Sequence, residues 1–228
     1  MSSAKVAMRF LPPSLLSSWC WLQETKGVAD GSSKREGKGG GRVRVDEGAV
    51  AASPPSFVSI LPGLWLGGIT DAQNREELLE KSVCNIVNCC TFLEYPIAQH
   101  FEDFEYYRVD VEDTSREPIH LYFEEACDFI EAAMAKKKAV FVHCRSGVSR
   151  SVTVLISFLV ARRGFRLQEA FFHVLAKREI VAPNVGFMQQ LCDWEQEQSK
   201  EPSLCMYKYT DWYTSDQAFR PAVPDLDP

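Results

Sequence analysis

The segment from Val140 to Val152, VFVHCRSGVSRSV, places the strongest restriction on how this chain folds. An apolar, strand-like run leads directly into a loop of small residues. A stretch that is apolar on nearly every side then continues to Val160, as expected for a buried helix. A buried strand joined to a buried helix by a short loop is typical of α/β domains, in which ligands bind at the carboxyl ends of the strands. The segment therefore predicts a fold class and the place of a site.

The remainder of the central region follows the same alternation. Short apolar runs predict strands at Phe57–Ile60, Leu64–Leu66, Cys84–Cys89, Tyr106–Val111 and Ala139–His143. Apolar residues at helical spacing predict helices over Ile119–Met134, Val152–Val160, Leu167–Leu175 and Phe187–Trp194. Strands that alternate with helices predict an α/β domain with a mostly parallel central sheet flanked by helices.

Composition divides the chain into three parts. Residues 27–56 are rich in Gly, Ser, Lys, Arg and Pro, so residues 1–56 are predicted to be a disordered leader and linker. Residues 57–199 carry the alternating pattern and are predicted to form the folded domain. Residues 200–228 contain five aromatic residues followed by a proline-rich end, and we expect an irregular C-terminal tail.

Charge and cysteine content limit the partners and the cellular setting. A net charge of -6 argues against binding to a nucleic-acid backbone, and no apolar run approaches the ~20 residues of a membrane-spanning helix. The eight cysteines follow neither a disulfide nor a zinc spacing, which predicts reduced thiols in the cytoplasm or nucleus. Lys5 and Arg9, with no acidic residue before Glu24, leave an N-terminal organelle-targeting peptide as the alternative.

The loop after the central strand has the properties of an anion site. The unpaired N–H groups and the positive dipole end at a helix N-terminus attract anions, and Ser146, Gly147 and Ser149 are small enough for the backbone to curl around a phosphate. Arg150 adds a permanently charged fork for phosphate oxygens. The same field favours the thiolate form of Cys144. A thiolate beside a bound anion predicts phosphoryl transfer.

These residues resemble a known family. HCRSGVSRS, residues 143–151, matches the Cys-x5-Arg-Ser motif of the cysteine-dependent dual-specificity protein phosphatases, in particular the small atypical type. The resemblance covers about residues 57–197. It includes LPGLWLGG (residues 61–68), Tyr122-Phe123 with Phe129-Ile130, and PNVGFMQQL (residues 183–191).

The resemblance implies a role for each residue of the site. Cys144 would be the nucleophile, Arg150 would bind phosphate together with the loop residues Arg145, Ser146, Gly147, Val148 and Ser149, and no metal or organic cofactor is implied. The family's general acid lies ten residues before the Phe of the Tyr-Phe pair, which gives Asp113, with Asp110 and Glu112 as alternatives. Ser151 would hydrogen-bond the sulfur, or instead cap the helix. His143 would orient the loop.

The resemblance also implies a substrate class. Relatives that act on inositol lipids or RNA ends often carry lysines inside the loop, whereas Arg145 is the only basic residue here besides Arg150. We therefore expect phosphorylated proteins as substrates, with phosphotyrosine and phosphoserine or phosphothreonine both hydrolysed. The alternatives are a phosphoprotein-binding pseudophosphatase and a rhodanese-like enzyme. Both fit less well, because the three catalytic residue types and the flanking motifs are all present.

Two cysteines raise a further expectation. Cys89 and Cys90 end a predicted strand at the same rim as Cys144. Some relatives protect an oxidised nucleophile by a disulfide with such a neighbour, so either residue is a candidate redox partner. The alternative is that both are buried core residues.

Overall fold

The computed structural model describes residues 57–199, 201–215 and 224–227. The predicted leader, residues 1–56, lies outside the described residues, as does its alternative as a targeting peptide.

A five-stranded sheet forms the centre of the fold. Its strands are β1 (Val58–Leu61), β2 (Leu64–Gly67), β3 (Val83–Asn88), β4 (Glu105–Arg108) and β5 (Ala139–His143). They lie in the order β1-β2-β5-β3-β4, and only the β1–β2 pair is antiparallel. β5 is therefore the middle strand, and each of its residues is buried. The prediction of a mostly parallel α/β sheet is confirmed.

Helices cover the sheet. In the described residues they are α1 (Ile69–Ala72), α2 (Arg75–Glu80), α3 (Phe123–Ala135), α4 (Arg150–Arg163), α5 (Leu167–Lys177), α6 (Val185–Ser199) and α7 (Met206–Thr214). α4 packs against α3, α5 and α6 as well as against β2 and β5, which explains why its sequence is apolar on nearly every side. None of the helices in the described ranges has the length and apolar content needed to cross a bilayer.

Two expectations about secondary structure are wrong. β4 ends at Arg108 rather than at Val111, because the chain leaves the sheet there and the Val111 carbonyl accepts a hydrogen bond from Arg150. The C-terminal segment is not irregular, since Met206–Thr214 forms α7. The prolines of this segment lie on either side of α7 and none lies within it, so they do not interrupt its hydrogen bonds.

Candidate active site

The loop Cys144–Ser149 joins the end of β5 to the start of α4. Gly147, at its tip, has a φ of +65°, in the left-handed region that side-chain-bearing residues rarely adopt. A Cβ atom at this position would lie 2.6 Å from the carbonyl oxygen of Gly67, at the end of β2. Both the backbone conformation and the close approach of β2 therefore require glycine at the tip of the loop.

Four successive carbonyl groups of the loop point outward, to the surrounding scaffold. The backbone N–H groups of Ile69 and Ala182 donate to Arg145 O (3.0 Å) and Val148 O (2.9 Å). The side chain of Arg178 donates from Nη2 to Ser146 O (2.9 Å) and from Nε to Gly147 O (3.0 Å). In a planar trans peptide the N–H group lies opposite the carbonyl. The N–H groups of residues 146–149 are thus turned to the inner side of the loop, which forms an anion cradle.

The thiol of Cys144 lies at the bottom of this cradle. Its side chain is buried, and Sγ accepts hydrogen bonds from Gly147 N at 3.3 Å and from the Ser151 hydroxyl at 3.2 Å. Ser151 is the second residue of α4, and the residue at the N-cap is Ser149, so the hydroxyl of Ser151 contacts the sulfur instead of capping the helix. Donors aimed at the sulfur stabilise a negative charge on it.

Arg150 is fixed by two neighbouring segments. Nη1 and Nη2 donate to the two carboxylate oxygens of Glu94 at 2.5 and 3.0 Å, and Nη1 also donates to Val111 O at 3.2 Å. Burial lowers the pKa of Arg150, but the hydrogen bonds to Glu94 and the nearby negative groups outweigh it, so the pKa is raised overall. Nε is buried and makes no hydrogen bond within the described residues. This edge of the guanidinium faces Asp113, and both residues line the same pocket.

Glu94 was not identified from the sequence. It lies in the loop that follows β3, whose C-terminal end shares the rim of the sheet with β5. The hydrogen bond from Arg150 is the main cause that lowers the pKa of Glu94 to about 2, and the backbone and side chain of Thr91 contribute as well. The sequence indicates only that Glu94 is a carboxylate on a loop at this rim, where the ends of neighbouring strands converge.

The ion pair predicts a pH-dependent contribution to stability. Glu94→Gln replaces one accepting oxygen by an NH2 group that faces the guanidinium, so we expect a loss of about 1.5 to 3 kcal/mol at neutral pH. The folded-state pKa of Glu94 is about 2 and its ordinary value is 4.5. The stabilisation is therefore present above the unfolded value and is lost as the pH falls through the folded value.

Urea unfolding at a series of pH values measures this effect. The stability difference between the wild type and Glu94→Gln should shrink steadily as the pH falls below about 4.5. Glu112→Gln, which changes an exposed carboxylate nearby, is the control and should leave stability nearly unchanged. A difference in the free energy of unfolding between the wild type and Glu94→Gln that stays constant with pH would show that the charge of Glu94 is not the stabilising feature.

Asp113 lies on the wall of the pocket. Its Oδ1 accepts hydrogen bonds from the Ser149 hydroxyl at 2.7 Å and from Asn184 Nδ2 at 3.0 Å, and its Oδ2 lies 3.8 Å from Arg150 Nε. With Oδ1 occupied by two donors, Oδ2 is the oxygen placed to carry an exchangeable proton. Asn184 belongs to the PNVGFMQQL segment, but its contact with Asp113 was not predicted.

The alternative carboxylates lie elsewhere. Asp110 Oδ1 accepts a hydrogen bond from Phe92 N at 3.0 Å and so holds the loop that carries Glu94. Glu112 is exposed and does not line the pocket. Of the three acidic residues considered from the sequence, the structure brings Asp113 alone next to Cys144 and Arg150 in the pocket lining.

The pocket has a volume of about 330 Å³. Its lining consists of Asp113, Cys144, Arg145, Ser146, Val148, Ser149 and Arg150. The other two predicted site residues, Gly147 and Ser151, each donate a hydrogen bond to the sulfur of Cys144. Arg145 and Ser146 are exposed at the rim, whereas Cys144 and Arg150 are buried. The structure thus brings all of the predicted site residues together.

His143 is uncharged at neutral pH. The side chain is fully buried, and burial lowers the pKa of His143 to about 3. Its Nδ1 lies 3.4 Å from the carbonyl oxygen of Cys144. This contact is with the backbone of the loop, as expected for a residue that orients the loop.

Cys89 and Cys90 are both buried and directly follow β3, as Cys144 directly follows the paired strand β5. Cys89 N donates to His143 O at 2.8 Å, and Cys89 belongs to the same apolar cluster as Cys144, whereas Cys90 packs in the cluster on the other side. Burial raises the pKa of Cys89 well above its ordinary value and that of Cys90 to about 12, and a charge on Cys144 raises both further. Both thiols are therefore protonated at neutral pH, and Cys89 has the better position to reach Cys144.

The formation of a disulfide with oxidised Cys144 stays a prediction. The contacts favour Cys89 over Cys90 as the partner. Peroxide converts the Cys144 thiolate to a sulfenic acid, and the Cys89 thiol then displaces water to form a disulfide. We expect dithiol to restore most of the activity of the peroxide-treated wild type and Cys90→Ala, but not of Cys89→Ala. Peptide mapping without reduction should show the Cys144–Cys89 link. Equal recovery in both variants, with no such peptide, would contradict the role.

The fold and the site together define a class of protein. A mostly parallel sheet, a thiol in an anion cradle between the middle strand and a buried helix, an arginine at the start of that helix and a carboxylate on the wall are the features of cysteine-dependent phosphatases. The family model described as "Dual specificity phosphatase, catalytic domain" matches residues 64–197, more than half of the chain. The chain belongs to this family, and the resemblance seen in the sequence is confirmed.

Individual relatives agree with the family model. Human "Dual specificity protein phosphatase 7" is 34% identical over 185 residues, which are 81% of this chain and 44% of the relative. "Dual specificity protein phosphatase 1" of Arabidopsis thaliana is 37% identical over 141 residues, 62% of this chain and 69% of the relative. The crystal structure of human DUSP28 superposes with a TM-score of 0.60 at 31% identity, covering 64% of this chain and 97% of that one. The chain thus spans less than half of the human relative's length.

Proposed function

We propose that this protein hydrolyses phosphate monoesters on phosphorylated proteins, at tyrosine and at serine or threonine, through a cysteinyl-phosphate intermediate. One observation supports the proposal most directly. The Cys144 thiol lies within hydrogen-bond distance of Gly147 N and Ser151 Oγ, inside a loop whose inward N–H groups and Arg150 are arranged to bind a phosphoryl group. Family membership supports the same reaction.

The reaction consists of two displacements. Cys144 attacks phosphorus, so that an S–P bond forms while the P–O bond to the leaving group breaks, and Asp113 gives its proton to the departing oxygen. Water then attacks the cysteinyl phosphate with Asp113 as the base, and the S–P bond breaks. The cradle and Arg150 stabilise the equatorial oxygens in both steps, and the Ser151 hydroxyl stabilises the departing thiolate.

The substrate class follows from the rim of the pocket. Among the described residues that line the pocket, Arg145 is the only basic one apart from Arg150, which fits one phosphate group better than the several phosphates of an inositol lipid. The exposed rim formed by Arg145 and Ser146 is compatible with both short and long phosphorylated side chains. We therefore place proteins with single phosphorylated residues first among the substrates.

A matched substrate panel tests this proposal. Phosphate release is measured from three peptides that differ only in phosphotyrosine, phosphothreonine or phosphoserine at one position, and from a short-chain phosphoinositide, with and without a chelator. We expect turnover of all three peptides, slower turnover of the lipid, and no effect of the chelator. Preferential hydrolysis of the phosphoinositide would contradict the substrate class, and no turnover of any substrate would leave a phosphoprotein-binding role.

A further inference from the structure

The C-terminal helix α7 is integrated into the catalytic domain although it lies beyond the segment that matches the family model, residues 64–197. Tyr209 and Trp212 are buried, and both rings pack edge-on against Phe171 of α5, with centroid distances of 5.6 and 5.8 Å. Edge-to-face contacts of this kind stabilise packing beyond the burial of area. α7 is therefore held firmly against the body of the domain.

A buried carboxylate fixes the path of the chain between α6 and α7. Glu195 is 1% exposed and accepts hydrogen bonds from Leu167 N at 2.8 Å, from Arg166 Nε at 3.0 Å, and from both the backbone N (2.8 Å) and the hydroxyl (2.7 Å) of Ser203. A buried carboxylate with this many donors strongly constrains its surroundings. The position of α7 relative to α6 is thus set by specific polar contacts as well as by apolar packing.

One hydrogen bond connects α7 to the wall of the active site. The Tyr209 hydroxyl donates to the carbonyl oxygen of Pro183 at 2.6 Å, in a buried position. The N–H group of the same peptide plane belongs to Asn184 and donates to Ser149 Oγ at 3.1 Å. Because the peptide group is planar, Tyr209 and Ser149 hold its opposite edges.

The contacts continue to the carboxylate of Asp113. Ser149 Oγ accepts from Asn184 N and is therefore oriented to donate its own proton to Asp113 Oδ1 at 2.7 Å. The side chain of Asn184 donates to the same oxygen at 3.0 Å. Both donors that orient Asp113 are thus in contact with the peptide plane that Tyr209 holds.

We infer that Tyr209 is a positioning residue for the general acid, so that α7 is part of the catalytic machinery. The inference rests on the proposed function, in which Asp113 protonates the leaving group. Without the Tyr209 hydroxyl, the peptide group between Pro183 and Asn184 loses one of its hydrogen bonds. Asp113 is then held less firmly, and its Oδ2 is directed at the leaving oxygen for less of the time. The loss of activity should therefore appear with substrates for which protonation of the leaving group limits the rate.

Tyr209→Phe removes one oxygen atom and keeps the packed ring. We compare kcat/KM, which reports the first displacement, for phenyl phosphate, whose leaving group needs a proton, and for p-nitrophenyl phosphate, whose leaving group scarcely does, on the same enzyme preparation. Because general acid catalysis is worth about 10² to 10⁴ in rate, a partly misplaced acid should lower the phenyl-to-nitrophenyl ratio about fivefold to tenfold. Any change in the folded fraction cancels in this ratio.

Tyr207→Phe is the matched control, because Tyr207 lies on the same helix with 80% of its surface exposed. Its ratio should equal that of the wild type. In an Asp113→Ala background, Tyr209→Phe should cause no further loss on phenyl phosphate, since the acid through which it acts is gone. A wild-type ratio in Tyr209→Phe, or an equal further loss in the Asp113→Ala background, would overturn the inference.

The same assays separate this inference from the proposed function. If the wild type turns over both substrates and Asp113→Ala lowers the ratio, the proposed function stands whatever Tyr209→Phe does. If the wild type is inactive, or if Asp113→Ala leaves the ratio unchanged, the proposed function or its general acid is wrong, and the role of Tyr209 falls with it.

Discussion

Replacing Cys144 with serine should abolish turnover, by at least about 10⁴-fold, while the variant still binds phosphate or vanadate. A serine hydroxyl at this position is a far weaker nucleophile than a thiolate, so the first displacement stops. The anion cradle does not depend on the sulfur, because the loop carbonyls are held by Ile69, Arg178 and Ala182. We therefore expect Cys144→Ser to lose turnover and to keep anion binding.

Kinetics with p-nitrophenyl phosphate and anion binding by calorimetry measure the two properties. Cys84→Ser is the control, because Cys84 lies near the start of β3, at the far end of that strand from the site, and its replacement should leave both unchanged. Cys144→Ser with substantial residual turnover would refute the assigned nucleophile. Loss of anion binding together with turnover would show that the cradle depends on the sulfur.

Asp113→Ala should have the second largest effect, and the effect should depend on the leaving group. On phenyl and alkyl phosphates we expect a loss of about 10² to 10³, because an unprotonated alkoxide or phenoxide leaves poorly. On p-nitrophenyl phosphate the loss should be much smaller.

Values of kcat/KM for both substrates measure the effect. Glu112→Gln, which removes a neighbouring exposed charge, should keep the wild-type values on both. Equal losses on both substrates in Asp113→Ala would point to another acid, and Asp110 would then be the next carboxylate to test.

The anion loop was predictable from the sequence because its determinants are local. The strand, the small residues, the thiol, the arginine and the buried helix lie within about two dozen consecutive residues, and each has a direct physical reason. Local periodicity also predicted the five strands and the helices α3 to α6, but not the short helices α1 and α2. The resemblance to the family added the choice of Asp113, which spacing within this chain does not decide.

Contacts between residues distant in sequence were not predictable. The donors that orient Asp113 are 36 residues away, at Ser149, and 71 residues away, at Asn184. Glu94 lies 56 residues before the arginine that it holds. A single sequence does not say which residues pair at such separations, although the rim of a parallel sheet limits where they can meet, as for Glu94 and Arg150.

The C-terminal segment forms a helix although its overall composition predicts irregular structure, because the prolines lie outside the helical residues. Prolines at 202, 221, 224 and 228 suggested irregular structure, yet none falls between Met206 and Thr214. Within those residues Tyr209 and Trp212 are three positions apart and share one face of a helix. That spacing was the signal for a helix that packs on the domain, and both residues are buried there.

In the proposed mechanism a phosphoryl group is transferred to the sulfur of Cys144 before water releases phosphate. Wild-type enzyme is quenched in acid during steady-state turnover of p-nitrophenyl phosphate, digested, and examined by mass spectrometry, with Cys144→Ser treated in parallel. We predict one phosphoryl group on the peptide that contains Cys144, attached through sulfur, and none in the variant. Turnover without this adduct, or a phosphoryl group on any other residue, would contradict the mechanism.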